Sequence, residues 1–110
     1  MRFSFTKVKN IAIFTLIDND VESCNFGLLA LEKFNEYNLN KVIFDFSKMK
    51  FLQHYHTKTV QESIELFTLN SVECVVCGFD PLALSIAIHF MDDFSAQAFL
   101  NIDKALDALQ

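Results

Sequence analysis

The sequence predicts one α/β domain over residues 1–110, with a mostly parallel mixed β-sheet, about four helices and an antiparallel edge strand. A chain of 110 residues is long enough for a single ordinary core. Hydrophobic residues make up 52% of it, and thirteen Phe without any Trp indicate a core filled largely by rings. Short apolar runs alternate with stretches of helical periodicity, which is typical of βαβ units.

The first part of the chain predicts two strands and a helix. Phe3 and Phe5 alternate with polar residues, as in a half-exposed edge strand, and residues 11–17 form an apolar run typical of a buried strand. Asp20 is a candidate N-cap for the helix that follows. Apolar side chains recur at helical spacing in this helix, at Phe26, Leu29, Ala30, Phe34 and Tyr37. Gly27 inside the helix indicates close backbone packing.

The middle of the chain predicts two more buried strands around a second helix. Residues 42–46 and 72–77 are the strands, and Gly78 closes the second of them. The helix between them covers residues 55–69. Its inner face is predicted to hold Val60, Ile64 and Phe67.

The last part of the chain predicts a third helix, a short strand and a fourth helix. Asp80 as N-cap and Pro81 at the first helical position begin the third helix. Residues 96–100 form the strand, and Asn101 caps the final helix. The apolar face of that helix comprises Ala105, Leu106 and Leu109.

Charge and composition exclude several classes of partner and location. The net charge of −5, with nine scattered basic residues, argues against nucleic acid and anionic membrane surfaces. No apolar run approaches the roughly 20 residues of a membrane span, so direct membrane insertion is not expected. The first residues lack the apolar core of a signal peptide, and an odd number of cysteines fits a reducing compartment. We expect a cytoplasmic protein.

Motifs that would indicate catalysis are weak. Cys74 and Cys77 have redox or zinc spacing, but residues three apart in a strand point to opposite faces, so both are predicted as core residues. Ser85 and His89 stand four apart on the third helix without a nucleophile turn or oxyanion hole. The chain also lacks a Gly-rich phosphate loop. We therefore expect neither an enzyme nor a cofactor.

Polar and aromatic residues collect where the second buried strand leads into the second helix. The carboxyl end of a parallel strand and the amino end of a helix commonly form binding sites in such sheets. The residues at this junction are Gln53, His54, Tyr55, His56, Thr57 and Lys58. They are interpreted either as a simple connection or as the centre of a partner interface, with Tyr55 as an amphipathic anchor.

Two further interpretations concern the histidines of this junction. His54 and His56 would need a third ligand, such as His89 or Asp92 from another helix, to form a metal site. No metal is therefore predicted. A pair of histidines also suits a pH sensor, but no other residue supports that role.

Three segments in this order resemble a known family. They are the strand and loop over residues 42–52 (VIFDFSKMKFL), the turn over residues 77–81 (CGFDP) and the tail over residues 98–109 (AFLNIDKALDAL). Over residues 8–110 the chain resembles a STAS domain, the fold of anti-sigma factor antagonists and of the cytoplasmic tails of sulfate transporters. The resemblance is greatest to the stressosome branch, the RsbS and RsbR type.

The resemblance implies a partner-binding module that a kinase and a phosphatase regulate. In the family, the phosphorylated Ser or Thr follows an Asp at the strand-to-helix junction. Here His54 occupies the place of the phosphoacceptor, and Gln53 occupies that of the Asp. Phosphorylation of His54 itself, displaced phosphosites at Thr57 or Thr59, and a permanently binding-competent form are the alternatives.

The function implied is that of an anti-sigma factor antagonist or stressosome scaffold in bacterial signalling. Its partners would be an anti-sigma factor, a serine/threonine kinase-like protein or other STAS proteins. One alternative is an accessory subunit of a membrane transport system, because such systems use the same fold. Another is a homo-oligomer held by the apolar third helix, where residues 82–91 are almost entirely apolar.

Overall fold

A computed structural model describes residues 4–17, 26–49, 54–78 and 96–109, with the side chains of residues 54–57 excepted. Within these residues five strands form one sheet in the order β1-β2-β3-β4-β5. The first two strands are antiparallel, and every later neighbour is parallel. The strands are β1 (Ser4–Val8), β2 (Ile11–Thr15), β3 (Lys41–Asp45), β4 (Glu73–Cys77) and β5 (Gln97–Phe99).

Three helices pack on the two faces of this sheet in the described part of the chain. They are α1 (Phe26–Asn35), α2 (His54–Leu69) and α3 (Ile102–Leu109). Helices α1 and α2 share one apolar core with the sheet, while α3 covers the opposite face. The side chains of each strand alternate between these two cores, as a two-residue period requires. The predicted fold class, a mostly parallel mixed sheet with an antiparallel edge strand, is confirmed.

Phenylalanine rings fill the core between the sheet and helices α1 and α2. Phe44 lies at the centre, with ring centroids 5.9 Å from Phe14, 5.8 Å from Phe67 and 6.3 Å from Phe26. Most of these ring pairs are tilted or edge-to-face, which aromatic quadrupoles favour. The two helices approach closely because α1 has no side chain at Gly27, where a Cβ would lie 3.0 Å from the Oγ of Ser63.

The core on the other face is aliphatic and is closed by α3. Ile43 and Val75 from the sheet pack with Ala105 and Leu109 of the helix. The predicted N-cap of α3 is confirmed, because the side-chain oxygen of Asn101 accepts a hydrogen bond of 3.0 Å from the backbone N–H of Lys104.

Tyr37 departs from its predicted position on the inner face of the first helix. Helix α1 ends at Asn35, and the backbone N–H of Tyr37 bonds the carbonyl of Phe34 at 3.2 Å, an i to i−3 bond that tightens the chain as it leaves the helix. Tyr37 is therefore 36% exposed and stacks on Phe5 of the edge strand, with 5.2 Å between ring centroids. The helix is shorter than its apolar pattern suggested.

The remaining predicted elements agree with the structure or lie outside the described residues. The second helix begins at His54, one residue before its predicted start, and its inner residues Val60, Ile64 and Phe67 are buried. The cap at Asp20 and the third helix from Asp80 onward lie outside the described residues. In the part of the chain described, no helix is long and apolar enough to cross a membrane.

Candidate functional site at the carboxyl edge of the sheet

The parallel strands β2, β3 and β4 all end at the same edge of the sheet. Backbone hydrogen bonds continue past the ends of the strands. The N–H of Leu16 donates to the carbonyl of Asp45 at 2.9 Å, and that of Phe46 donates to Cys77 at 2.8 Å. The N–H of Gly78 reaches the carbonyl of Leu100 at 3.2 Å. Main-chain hydrogen bonds between neighbouring segments therefore continue to the end of this edge.

Asp45, the last residue of β3, organises the turn that leads away from the sheet. Its side chain is only 8% exposed. One carboxylate oxygen accepts the backbone N–H of Ser47, and the other accepts the Ser47 hydroxyl, both at 3.0 Å. A carboxylate that bonds the main chain two residues on forms an Asx-type turn. The buried charge thus has partners, and the turn has one fixed shape.

The chain then runs from this turn towards α2. The N–H of Met49 bonds the carbonyl of Phe46 at 3.0 Å, and the Met49 side chain packs against the Phe-rich core. Residues 50–53, including Gln53, lie outside the described residues, and α2 begins at His54. The connection therefore starts from a residue packed on the core that α1 and α2 share with the sheet, and it leads into a helix that packs on the same core through its later turns.

Helix α2, which begins with most of the predicted binding residues, packs on the sheet through its later turns. Val60 and Ile64 are buried, and Ser63 lies against α1 with its hydroxyl bonded to the Thr59 carbonyl at 2.9 Å. The first N–H groups of any α-helix have no partner within the helix, so its amino end carries partial positive charge. The start of α2 therefore presents a fixed, electropositive helix end beside the carboxyl edge of the sheet.

The structure brings most of the predicted site residues into the first two turns of α2. His54, Tyr55, His56 and Thr57 form its first four positions, although their side chains lie outside the described part of the structure, as does Gln53. The side chains that follow are described. Lys58 is exposed, and Thr59 is half-buried. The junction between strand and helix thus lies where the sequence predicted it.

Asp45 and Ser47 belong to this region, although the sequence pattern predicts Asp45 only as part of an apolar strand. A signal for their role was present in the sequence. Asp45 is the only charged residue within the run 42–46, and a hydroxyl residue follows two positions later, which is the pattern of an Asx-type turn. A carboxylate at the end of a buried strand needs such local donors.

The two strand cysteines are core residues, as predicted. Cys74 packs on the face that α1 and α2 cover, and Cys77 packs on the face that α3 covers. Burial is the largest cause that raises the pKa of each thiol to about 12, with the Asp45 carboxylate adding to the effect at Cys77. Thiols with such pKa values remain protonated near neutral pH and are poor nucleophiles and metal ligands.

Metal binding was not expected. Among the residues that the structure describes, no three His, Cys, Asp or Glu side chains converge to hold a metal ion. The combination of His54 and His56 with His89 or Asp92 lies outside the described side chains.

Comparisons with known proteins identify the fold. Neither a family model nor a curated protein matches the sequence. Several solved structures do match. A Ser-to-Glu variant of RsbS from Moorella thermoacetica is 22% identical with a TM-score of 0.78, the alignment covering 96% of this chain and 94% of that one. A chain from the stressosome, described as a signal integration and transduction hub, is 21% identical with a TM-score of 0.80 over the same shares.

A third solved structure extends the likeness. The anti-sigma factor antagonist SpoIIAA, in its unphosphorylated form, is 11% identical with a TM-score of 0.67, covering 98% of this chain and 97% of that one. At these identities the likeness concerns the fold. The chain therefore has the STAS fold that its sequence resemblance implied.

Proposed function

We propose that this protein is a non-enzymatic protein-binding module in bacterial signalling, which acts as an anti-sigma factor antagonist or a stressosome scaffold. The main support is the likeness to RsbS, the stressosome chain and SpoIIAA over at least 96% of the chain. Its partner would be an anti-sigma factor, a serine/threonine kinase-like protein or another STAS protein. The mechanism would be competitive binding: while this protein holds the partner, the partner's other target is released.

The binding surface in this proposal is the junction over residues 53–58. The Asp45 turn lies before this junction, and the later turns of α2 pack on the shared core after it, so ordered structure flanks the proposed surface on both sides. Lys58 is exposed there, and the helix end adds partial positive charge, which favours an acidic surface on the partner. Tyr55 is the proposed anchor.

His54 stands where the family has its phosphoacceptor, and we propose that the protein binds without that modification. A phosphoryl group in an interface adds negative charge and usually weakens docking, so its loss favours the bound form. Thr57 and Thr59 are the alternative phosphosites. Thr59 is half-buried, so modification there would require the side chain to move outward first.

The test is a pull-down from the soluble extract of the source cells with three full-length baits. The baits are the wild type, His54→Glu and Leu69→Glu. The last places the same charge on the same helix but at its other end, where Leu69 is 84% exposed. We expect a kinase-like ATPase, a sigma regulator or STAS proteins on the wild type and on Leu69→Glu, and at least tenfold less of them on His54→Glu.

The outcomes separate the proposal from its alternatives. Equal recovery by all three baits would remove the junction from the binding surface. Recovery of a membrane transporter's ATPase would identify a transport accessory subunit instead. The mass of the recovered wild-type bait reports phosphorylation directly, and the same measurement on a Thr57→Ala, Thr59→Ala double variant assigns it to these threonines or to another residue.

A further inference from the structure

The outer edge of β1 is the feature that the proposed function leaves unused. Among the described residues only β2 pairs with β1, so the other side of β1 presents unpaired main-chain groups. Such an edge can accept an additional strand. The strand contains no proline, and its side chains are exposed or half-buried throughout.

The register of the hairpin determines which groups point outward. Val8 pairs with Ile11 across a loop of two residues. In such a hairpin the pair next to the loop exchanges both of its hydrogen bonds, and the pairs then alternate along the strand. The main-chain groups of Val8 and Thr6 therefore point towards β2. Those of Phe5 and Lys7 point away from it, to the open edge.

The side chains of the same two residues belong to a cationic and aromatic cluster. The ring of Phe5 stacks on Tyr37, and the Lys7 ammonium lies 4.9 Å from the centroid of the Tyr37 ring. The Lys33 ammonium lies 5.6 Å from the same ring and 5.7 Å from that of Phe5. Glu36 pairs with Lys33 at 3.3 Å, so the cluster contains two ammonium groups and one carboxylate. This cluster is positive on a protein whose net charge is −5.

We propose that the open edge of β1 binds an extended acidic segment of a partner protein, which adds to the sheet as a sixth strand. The main-chain groups of Phe5 and Lys7 would supply the hydrogen bonds, and Lys7 and Lys33 would select for acidic side chains. A second copy of this chain is the less suitable occupant, because joining two β1 edges would bring two Lys7 and two Lys33 side chains together. The inference is independent of the proposed function at α2.

The test uses the full chain and a labelled peptide in which Glu and Val alternate, with a Lys and Val peptide as the matched control. Fluorescence anisotropy gives the two dissociation constants, and amide hydrogen exchange by NMR locates the bound peptide. We expect the acidic peptide to bind at least tenfold more tightly. The amides of Phe5 and Lys7 should exchange more slowly on binding, while those of Thr6 and Val8 are already protected in the free protein.

Two substitutions at Lys7 distinguish the contribution of its main-chain N–H to peptide binding from that of its side-chain charge. Lys7→Gln removes only the ammonium group and should weaken the acidic peptide by about threefold, the scale of an exposed ion pair. Lys7→Pro also removes the outward N–H and should weaken it by more than tenfold. Proline is tolerated at an edge whose N–H faces solvent, so the fold should survive. Lys33→Gln tests the charge without changing any residue of β1, and Lys9→Gln in the turn should leave affinity within twofold.

Several results would overturn the inference. Equal affinity for the two peptides would remove the charge selection. Unchanged exchange at Phe5 and Lys7 in the presence of bound peptide would remove the edge as the site. A free protein that sediments as a dimer, with these two amides already protected, would assign the edge to a second copy of the chain.

Discussion

Gly78 and Asp45 are packed so closely that any side chain at position 78 would collide with the Asp45 carboxylate. A Cβ on Gly78 would overlap the Oδ1 of Asp45 and lie 2.7 Å from the backbone nitrogen of Ser47. Gly78 also has a φ of 84°, a conformation that L residues rarely adopt. The end of β4 and the turn after β3 are thus fitted together at the edge of the sheet where the candidate site lies.

The first prediction is that Gly78→Ala strongly destabilises the protein. The left-handed conformation costs a side-chain-bearing residue about 1–2 kcal/mol, and overpacking adds about 1–3 kcal/mol. We expect the free energy of unfolding, measured by urea titration, to fall by roughly 2–4 kcal/mol. Ser71→Ala is the control, because Ser71 also has a positive φ, 63°, but is exposed and already carries a Cβ. A urea midpoint for Gly78→Ala equal to that of the wild type would contradict the packing described.

The contact between Gly78 and Asp45 also shows which features of the fold the sequence predicts and which it does not. Gly78 was predicted to close a strand, because glycine after an apolar run is a local signal. Its contact with Asp45 joins residues 33 positions apart and depends on the pairing of β3 with β4. Strand order and register arise from tertiary packing, so periodicity within each strand predicts the two elements but not this contact.

Tyr37 shows the same limit at a helix end. Its spacing from Phe34 places it on the apolar face of the first helix, and no proline or glycine ends the helix before it. The competing interaction is the stack on Phe5, which comes from an antiparallel strand that the helix pattern does not include. The Cys74 and Cys77 prediction succeeded because it needed only the two-residue period of one strand.

The second prediction is a loss of stability at alkaline pH caused by the buried thiols of Cys74 and Cys77. Unfolded thiols lose their protons near pH 8.5, whereas burial raises the pKa of both in the folded protein to about 12. Between these values the unfolded state binds fewer protons, so the free energy of unfolding falls as pH rises. Stability is fully present below about pH 8.5. We expect a loss of roughly 2 kcal/mol per thiol by pH 10.

The measurement compares urea unfolding at pH 8 and pH 10 for the wild type and for Cys77→Ala. The alanine variant loses some packing at every pH, so the informative quantity is the change between the two pH values. That change should be smaller in Cys77→Ala and smaller again in the Cys74→Ala, Cys77→Ala double variant. The same pH dependence in all three proteins would show that other groups cause it.

The third prediction concerns the turn between β1 and β2. Lys9 has a φ of 54°, which glycine adopts without the clash that a Cβ produces. Relief of this clash should stabilise the Lys9→Gly variant, whereas the greater freedom of glycine in the unfolded chain opposes part of the gain. We expect a net rise of roughly 0.5–1 kcal/mol in the free energy of unfolding. Lys9→Ala removes the same charge but keeps the Cβ, so it should show no such gain. Equal effects of the two variants would assign any change to charge.

The fourth prediction concerns the attachment of α3 to the sheet. The Lys41 ammonium donates a hydrogen bond of 2.5 Å to the carbonyl of Leu109, at the carboxyl end of the helix. A cation there satisfies an orphan carbonyl and interacts favourably with the helix dipole. Lys41→Met keeps much of the side-chain length but loses both effects. We expect about 1–2 kcal/mol of destabilisation.

Hydrogen exchange distinguishes this local effect from a global one. In Lys41→Met the amides of the last turn of α3 should exchange faster than in the wild type, because the helix end is no longer attached. The exchange of the β3 amides should change less. Lys104→Met is the control, because Lys104 is exposed on the same helix. It lies in the first turn, where the helix dipole does not favour a cation. Faster exchange in α3 of both variants, to the same degree, would remove the Lys41 bond as the cause.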